Sequence, residues 1–222
     1  MALRASCALC FAKALSPLFI FRVSCKGGII ERFSTNADGF VLRSLLRSGT
    51  RVWHDRVEEA FERFDLGSAG GSRLAVDVHV SVMSRALPVM QDHPLYAMEI
   101  ERLLVLAGPT LRPSHLADKG CLEPADSDLH PLSFAYVILG SRLGARVITR
   151  RIEAGKDGLA PHVYAFLSDN RSGECWRQLC RELDAVTSAD EHRTILADAN
   201  RAFAIYHETA LAILPAPTED AA

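Results

Sequence analysis

Apolar residues recur at intervals of three and four along most of the chain, and this spacing predicts helices. The pattern is clearest over residues 40–64, where we predict a long helix with a break or cap at Gly49. A second helix is predicted over residues 72–90. A third is predicted over residues 95–106, because a proline precedes this segment and a glycine–proline pair follows it.

The second half of the chain is also predicted to be helical, with a loop and a turn between its helices. Residues 112–128 are polar and contain proline, so they predict a loop, and residues 155–161 predict a turn. Helical spacing predicts a central helix over residues 134–152, a helical segment near residues 176–183 and an amphipathic final helix over residues 189–213. No alternating strand pattern or internal repeat is evident, so the sequence predicts an all-α, single-domain, multi-helical bundle.

The central helix is unusual because glycine occurs twice, four residues apart, in the segment from Gly140 to Ala145. Each glycine costs a helix roughly 1 kcal/mol relative to alanine. One interpretation is close helix–helix packing through small residues. Another is a break or bend at which backbone approaches something flat. The segment is too short and too rich in arginine to span a membrane, which needs about 20 apolar residues.

Composition narrows the class of protein. The chain has 222 residues, of which 49% are hydrophobic and 23% are charged, with a formal net charge of −2. These values are typical of one globular domain, and they give no general argument for nucleic acid or for an anionic membrane surface. Among the six cysteines, Cys7-x-x-Cys10 has no second pair or histidines beside it, and the others show no paired zinc-type spacing. Reduced thiols in a cytoplasmic protein are therefore the simplest interpretation.

The first 35 residues differ from the rest because basic residues interrupt apolar and small ones, and the first acidic residue is Glu31. A secretory signal would have an uninterrupted apolar stretch, so the match to one is poor. We predict an added or mis-started leader over residues 1–35, with an amphipathic anchor as the alternative. The folded domain is then expected over residues 36–215 and a disordered tail over residues 216–222.

The first predicted helix contains three residues that could form a functional site. Arg47, His54 and Glu58 occupy positions i, i+7 and i+11. In one continuous helix their side chains would lie within about 40–60° of each other around the helix axis. A cation, an imidazole and a carboxylate would therefore line one groove. An ordinary half-exposed histidine beside a surface ion pair is the alternative. The other histidines show no ligand-type clustering, and we interpret them as surface or structural residues.

Three separated segments together resemble the heme oxygenase family, in particular its compact bacterial, biliverdin-producing branch associated with bacteriophytochromes. Residues 46–58 include Thr50, His54 and Glu58, which resemble the Thr-x-x-x-His-Glu-type run of the family's proximal helix. Residues 136–145, YVILGSRLGA, resemble the family's distal helix, and residues 176–181, WRQLCR, resemble its late propionate-binding helix. The resemblance covers about residues 40–214.

The resemblance implies a heme oxygenase-like fold in which heme b is sandwiched between a proximal and a distal helix. It implies that His54 is the axial iron ligand, oriented by Glu58. The remaining implied site residues are distal glycines and a serine, basic residues that bind the propionates and an aromatic pocket wall: Gly140, Ser141, Gly144, Arg47, Arg177, Arg181 and Phe203. A solvated helix face is the alternative for the arginines, and core packing is the alternative for Phe203.

The chain departs from the family pattern at four positions of the distal segment. Ser141 stands where many members have an acidic residue, although its hydroxyl can still bind water. Leu139 replaces a frequent glutamate, Ala145 replaces a second glycine and Ala135 replaces a propionate-binding tyrosine. These departures make the fold a firmer expectation than the activity.

The resemblance implies an oxidoreductase that cleaves heme with O₂ and electrons to biliverdin, CO and ferrous iron. Heme is both substrate and prosthetic group, and electrons come from a ferredoxin or another reductase, because the chain has no flavin, iron–sulfur or nicotinamide motif. A bilin-binding photoreceptor is a further candidate partner. A non-catalytic heme- or bilin-binding protein is the first alternative, and a helical interaction module without heme is the second.

Overall fold

The computed structural model describes residues 41–108, 128–152 and 158–214, and these residues form helices with no strand among them. The α-helices are α1 (Val41–Gly49), α2 (Arg51–Glu62), α3 (Ala69–Ala86), α4 (Pro94–Ala107), α5 (Pro131–Ile152), α6 (Pro161–Ser168), α7 (Gly173–Ala185) and α8 (Ala189–Ile213), and a 3₁₀ turn (Leu87–Met90) follows α3. The all-α prediction is confirmed. The predicted leader 1–35 and tail 216–222, and nearly all of the loop 112–128, lie outside the described residues.

The final helix α8 is the centre of the bundle, because α1, α2, α3 and α5 all pack along it. Ser188 caps its first turn by accepting a hydrogen bond from the backbone N–H of Glu191. Asp190 and Glu191 place negative charge at the same end, where the helix dipole favours it. The predicted bounds of this helix, residues 189–213, are confirmed. The cap at Ser188 and the spacing of the apolar residues indicate the same helix.

The break predicted at Gly49 is confirmed, since α1 ends there and α2 begins at Arg51. Between them, the Thr50 hydroxyl donates to the Leu46 carbonyl at 2.7 Å, and the backbone N–H of Thr50 donates to the same carbonyl at 3.0 Å. The prediction that Arg47 shares a helix face with His54 assumed one continuous helix. The two residues belong to different helices, α1 and α2, so this shared face stays a prediction.

The bounds of α4 follow from its flanking residues, as predicted. Pro94 is the first residue, where a missing N–H costs nothing, and Gly108 ends the helix with φ of 70°, a conformation that favours glycine. The helix α6 was not predicted, because its sequence PHVYAFLS is apolar on nearly every side and shows no amphipathic period.

The central helix α5 begins at Pro131 and continues to Ile152. The break expected between Gly140 and Ala145 does not interrupt it. Its first half is buried, with Phe134, Val137 and Ile138 almost fully covered. Within the described residues, no helix combines the length and the apolar character that crossing a membrane requires.

Candidate functional site

The helix α2 runs alongside α8 in the same direction. Near the start of α2, a Cβ built on Gly49 would lie 2.7 Å from Leu196 of α8. Further along, the ring centroids of His54 and Phe203 are 5.8 Å apart. Residues later in α2 therefore contact residues later in α8, as expected for two parallel helices.

The helix α5 follows α8 in the same sense. At its start, the Ser133 hydroxyl donates to the Ile195 carbonyl at 2.9 Å. Further along, burial raises the pKa of Tyr206, and the Ser141 side chain is near enough to oppose that rise. The helices α2 and α5 are thus parallel neighbours on one surface of α8. Within the described residues they are not among the helix pairs that contact each other extensively. We refer to the region between α2 and α5, with α8 beneath it, as the cleft.

At one end of this cleft the two walls come close together. Burial raises the pKa of Tyr136 of α5, and the side chain of Thr50, the residue just before α2, is near enough to oppose that rise. The Trp176 ring of α7 lies beside Tyr136, with ring centroids 5.9 Å apart. His54 and Gly140 each lie one helical turn beyond Thr50 and Tyr136 on their own helices, so they belong to the same level of the cleft.

His54 and Glu58 form the polar pair on the α2 wall. Nδ1 of His54 lies 3.2 Å from Oε1 of Glu58, and the Glu58 side chain is buried. Burial raises the pKa of Glu58 to about 7, with a smaller contribution from Asp55 in the same direction. A carboxylate atom of Asp55 also lies within 4.8 Å of the pair, but Asp55 is exposed and is held by Arg51 at 2.8 Å. A cluster of this composition does not by itself define a metal site.

We expect Glu58→Gln to stabilise the heme-free chain at pH 8 and to have no effect near pH 4. The raised pKa means that folded Glu58 binds its proton more tightly than unfolded Glu58, so its contribution to stability falls as the pH rises through the folded pKa. Glutamine removes that loss, and we expect a gain of about 1–2 kcal/mol in the free energy of unfolding at pH 8. Urea unfolding at both pH values measures it, with exposed Glu62→Gln on the same helix as the control. A lower stability of Glu58→Gln at pH 8 would contradict the prediction.

On the opposite wall, Gly140 faces the Trp176 ring. A Cβ at Gly140 would lie 3.7 Å from Cζ3 of that ring, which is ordinary van der Waals contact. The next residue, Ser141, is half-buried, and its hydroxyl donates to the Ile138 carbonyl at 2.7 Å. Gly144 lies one turn further along the same helix. Gly140 therefore packs against α7, and both Gly140 and Ser141 are only partly buried.

The basic residues predicted to bind propionates are all exposed. Arg47 ends α1, close enough to Tyr136 for its charge to influence the Tyr136 pKa. Arg177 and Arg181 lie one turn apart on α7, and Arg181 donates to the Gln178 side-chain carbonyl at 2.6 Å. Because Tyr136 also contacts Trp176, Arg47 and the start of α7 lie at the same end of the cleft.

Phe203 is buried on α8 and forms the floor beside His54, as expected of a pocket wall or a core residue. The sequence did not reveal a polar cluster formed by His79, Tyr206 and Arg142. His79 was interpreted as a surface or structural residue, but it is buried and its Nδ1 bonds with the Tyr206 hydroxyl. The available signal was its place among the valines of the α3 core stripe.

Comparisons of the chain with models of protein families, with curated proteins and with solved structures find no match. The fold and the site are therefore described from the chain itself: an all-α bundle with a His–Glu pair on one wall of a cleft and a glycine–serine pair on the other.

Proposed function

We propose that the protein is a heme oxygenase, which cleaves heme with O₂ and electrons to biliverdin, CO and ferrous iron. The observation that carries this proposal is the His54–Glu58 pair on α2, one turn beyond Thr50 and level with Gly140. When bound and reduced, heme supplies the iron that activates O₂ and the ring that is cleaved. The roles below belong to the side chains of this chain.

The side chains of His54 and Glu58 are suitable for binding a heme iron. Neutral imidazole is a common axial ligand, and a ligating histidine usually has its second nitrogen held by a carboxylate or carbonyl. With Nδ1 of His54 lying 3.2 Å from Oε1 of Glu58, Nε2 is the nitrogen that would bind iron. Oε1 of Glu58 is buried and accepts no hydrogen bond within the described residues, so it is available to fix the ring of His54.

The shape of the cleft also fits a flat, largely apolar group. Its walls are two helices that share α8 as a floor without packing tightly on each other. Phe203 and Val57 offer apolar surface beside His54, and Gly140 and Leu143 are only partly buried on the opposite wall. These side chains would shield a bound ring from water on both faces.

Exposed arginines at the Thr50–Tyr136 end of the cleft support binding of the two carboxylates of heme. Arginine pairs with carboxylate through two parallel hydrogen bonds, which fixes orientation as well as affinity. Arg47 from α1 and Arg177 and Arg181 from α7 would grip the propionates from two sides. Their grip would set the in-plane rotation of heme and hence which ring edge meets Ser141.

The electrons for this reaction are proposed to come from a separate ferredoxin or another reductase. A bilin-binding photoreceptor is the proposed recipient of the product. The proposal of a separate electron donor rests on the absence of redox-cofactor motifs in the sequence. The proposal of a photoreceptor rests on the resemblance of residues 136–145 to the bacteriophytochrome-associated branch of the family.

The second candidate is a heme- or bilin-binding protein that does not cleave its ligand. It is favoured by one observation, the Trp176 ring packed beside Gly140. In that position the indole shares the space that a macrocycle would need to lie against the α5 backbone. A ligand held away from that backbone would lose the steric control that ring cleavage requires.

Gly140→Ala separates these two candidates. In the heme-free chain alanine is expected to raise the free energy of unfolding by up to about 1 kcal/mol, because it favours helix and its Cβ meets Trp176 at an ordinary distance. If a macrocycle lies against this backbone, the added methyl group should weaken hemin binding by about tenfold, the usual scale of overpacking. Hemin titration and urea unfolding measure both effects.

The matched control is Gly70→Ala on α3, where a Cβ would meet nothing within 4 Å. Unchanged hemin binding by Gly140→Ala would contradict the placement of the ring against α5 and would favour the second candidate.

The test of function is hemin titration of the full chain, followed by reduction with ascorbate or ferredoxin under air, with absorbance recorded throughout. A Soret band that decays while biliverdin absorbance rises supports the enzyme. A stable Soret band without bilin supports the second candidate. Absence of a Soret band contradicts both and directs attention to the apolar side chains exposed on α4: Leu95, Met98 and Val105.

A further inference from the structure

The buried carboxylate of Glu58 lacks the partners that usually accompany such a group. Glu58 is 7% exposed, and its Oε1 accepts no hydrogen bond within the described residues. Among those residues its ion-pair contact is His54, and no arginine or lysine pairs with it. Buried charges in proteins are paired with a cation or coordinate a metal. A metal ion that reached Oε1 would therefore gain a charged ligand that is already shielded from water.

The spacing of Nδ1 of His54 and Oε1 of Glu58 suits two ligands of one ion. The two atoms lie 3.2 Å apart, but their geometry does not form a hydrogen bond. With bonds of about 2.1 Å to each atom, as zinc makes to histidine and carboxylate, this spacing gives an angle of about 100° at the metal. That angle lies between those of octahedral and tetrahedral coordination. The pair can therefore bind one ion without a change in the α2 backbone.

Asp55 provides a third ligand on the solvent side of the pair. Its Oδ1 lies 4.0 Å from Nδ1 of His54, and one ligand atom from each of His54, Asp55 and Glu58 lies within 4.8 Å of the others. Oδ1 also accepts from Nε of Arg51 at 2.8 Å, but the Asp55 side chain is 52% exposed. A small rotation of this side chain would bring it to the same ion, and the open side would leave room for water.

The kind of ion follows from these ligands. One imidazole nitrogen and two carboxylate oxygens suit Zn²⁺ and its first-row neighbours Co²⁺ and Ni²⁺, whereas Mg²⁺ and Ca²⁺ prefer oxygen ligands. Three protein ligands with water in the remaining position are typical of zinc sites that stay open to solvent. The ligand set therefore favours a transition-metal ion.

We propose that His54, Asp55 and Glu58 bind a divalent first-row transition-metal ion such as Zn²⁺ in the heme-free chain, with Nδ1 of His54 as the nitrogen ligand. A neutral imidazole carries one ring proton, so an ion on Nδ1 leaves that proton on Nε2. Nε2 is the nitrogen assigned above to heme iron, and the two metals therefore exclude each other at His54. The metal site rests on its own geometry, whereas the exclusion of heme rests on the proposed function.

An ordinary helical His–Glu pair is the competing explanation, since residues four apart on a helix are neighbours in any protein. The two explanations differ in two measurable properties. Only the metal site fixes the proton of His54 on Nε2 when zinc is added. Only the metal site accepts another zinc ligand in place of the Glu58 carboxylate.

The first test adds Zn²⁺ at pH 8 to the heme-free full chain labelled with ¹⁵N-histidine. The His54 resonances are assigned from contacts of its ring with Phe203. We expect a saturable shift of the Nδ1 resonance and a protonated Nε2. Unchanged His54 resonances, while other histidines or the thiols take up zinc, would overturn the proposal, because the metal then binds elsewhere in the chain.

The second test measures the same zinc titration in variants of the ligands. Glu58→Gln keeps the size of the side chain and is expected to weaken zinc binding at His54 by about tenfold or more, since even loss of an outer-shell partner costs that much. Asp55→Asn should weaken it less, because water can take the place of the exposed carboxylate. Exposed Glu62→Gln on the same helix is the matched control and should bind zinc as the native chain does.

Glu58→His separates a ligand from a purely structural carboxylate. Two histidines four residues apart on a helix are a known zinc-binding arrangement, so this variant should regain the zinc binding that Glu58→Gln loses. Equal zinc affinity of Glu58→Gln and the native chain would overturn the proposal. If Glu58→His does not fold, the comparison of Glu58→Gln with Glu62→Gln decides.

The third test titrates hemin into the full chain with free Zn²⁺ at ten times its measured Kd. Competition for His54 predicts hemin binding weaker by about tenfold in the native chain and a much smaller effect of zinc in Glu58→Gln. Unchanged hemin affinity with zinc bound at His54 would overturn the exclusion. Absence of a Soret band overturns the proposed function and leaves the metal site to the first two tests. A Soret band in a chain whose His54 does not take up zinc overturns this inference alone.

Discussion

Replacing His54 with alanine is expected to abolish the native Soret band and to weaken hemin binding by more than the roughly 10–100-fold that loss of an outer-shell partner costs. The reason is that the proposed site offers the iron one imidazole, on α2 beside Glu58 and Phe203. The remaining contacts of hemin would be apolar surface and exposed arginines, which hold the ring without binding the metal. Hemin titration followed by absorbance measures both the affinity and the ligation.

His207 provides a matched control, because its ring on α8 lies 6.1 Å from Trp53, the neighbour of His54. His207→Ala should leave the Soret band unchanged. Added imidazole should restore the native absorbance of His54→Ala by binding in the space left by the side chain. A His54→Ala variant with the native band, or loss of the band in His207→Ala, would contradict the assignment of the ligand.

The helices that could be predicted from the sequence are those whose ends carry local chemistry. The bounds of α8 follow from Ser188 and its acidic first turn, and those of α4 follow from Pro94 and Gly108. By contrast, α6 begins with Pro161 but shows no amphipathic period, because most of its eight residues are apolar. Local signals therefore predict the ends of helices better than they predict a short buried helix.

The candidate site could be predicted only where its residues share one helix. His54 and Glu58 are four residues apart on α2, so their proximity follows from helical geometry. Arg47 was assigned to the same face, but Thr50 separates the two helices. The contacts of Trp176 with Gly140, and of His79 with Tyr206, join residues far apart in sequence, and no local pattern encodes such pairs.

The second large effect concerns stability, at a site away from the cleft. Arg102 of α4 donates to both carboxylate oxygens of Glu99, at 2.7 and 2.6 Å, and to both oxygens of Asp169, at 3.2 and 2.8 Å. Both carboxylates are buried. One guanidinium therefore neutralises two buried charges and ties α4 to the segment between α6 and α7.

We expect Arg102→Met to lower the free energy of unfolding by about 3 kcal/mol at pH 7, because it leaves two buried carboxylates without their shared cation. Methionine keeps much of the apolar stem, so the loss reports mainly the charge. Arg171→Met is the matched control, since Arg171 also binds Asp169, at 2.6 Å, but is 62% exposed. Its removal should cost less than about 1 kcal/mol, as is usual for surface ion pairs.

The pH dependence of this loss distinguishes the ion pairs from simple packing. Burial alone would raise the pKa of Glu99 and of Asp169, but hydrogen bonds from Arg102 outweigh it, so both lie below their ordinary values. Groups with lowered pKa stabilise the fold above their unfolded pKa and lose that contribution as the pH falls. In Arg102→Met burial is opposed only by the Ser172 hydroxyl at Glu99 and only by Arg171 at Asp169. The difference in unfolding free energy between native chain and variant should therefore be largest near pH 7 and shrink toward pH 4. Urea unfolding across this range measures it, and a difference that does not change with pH would assign the effect of Arg102 to packing of its stem.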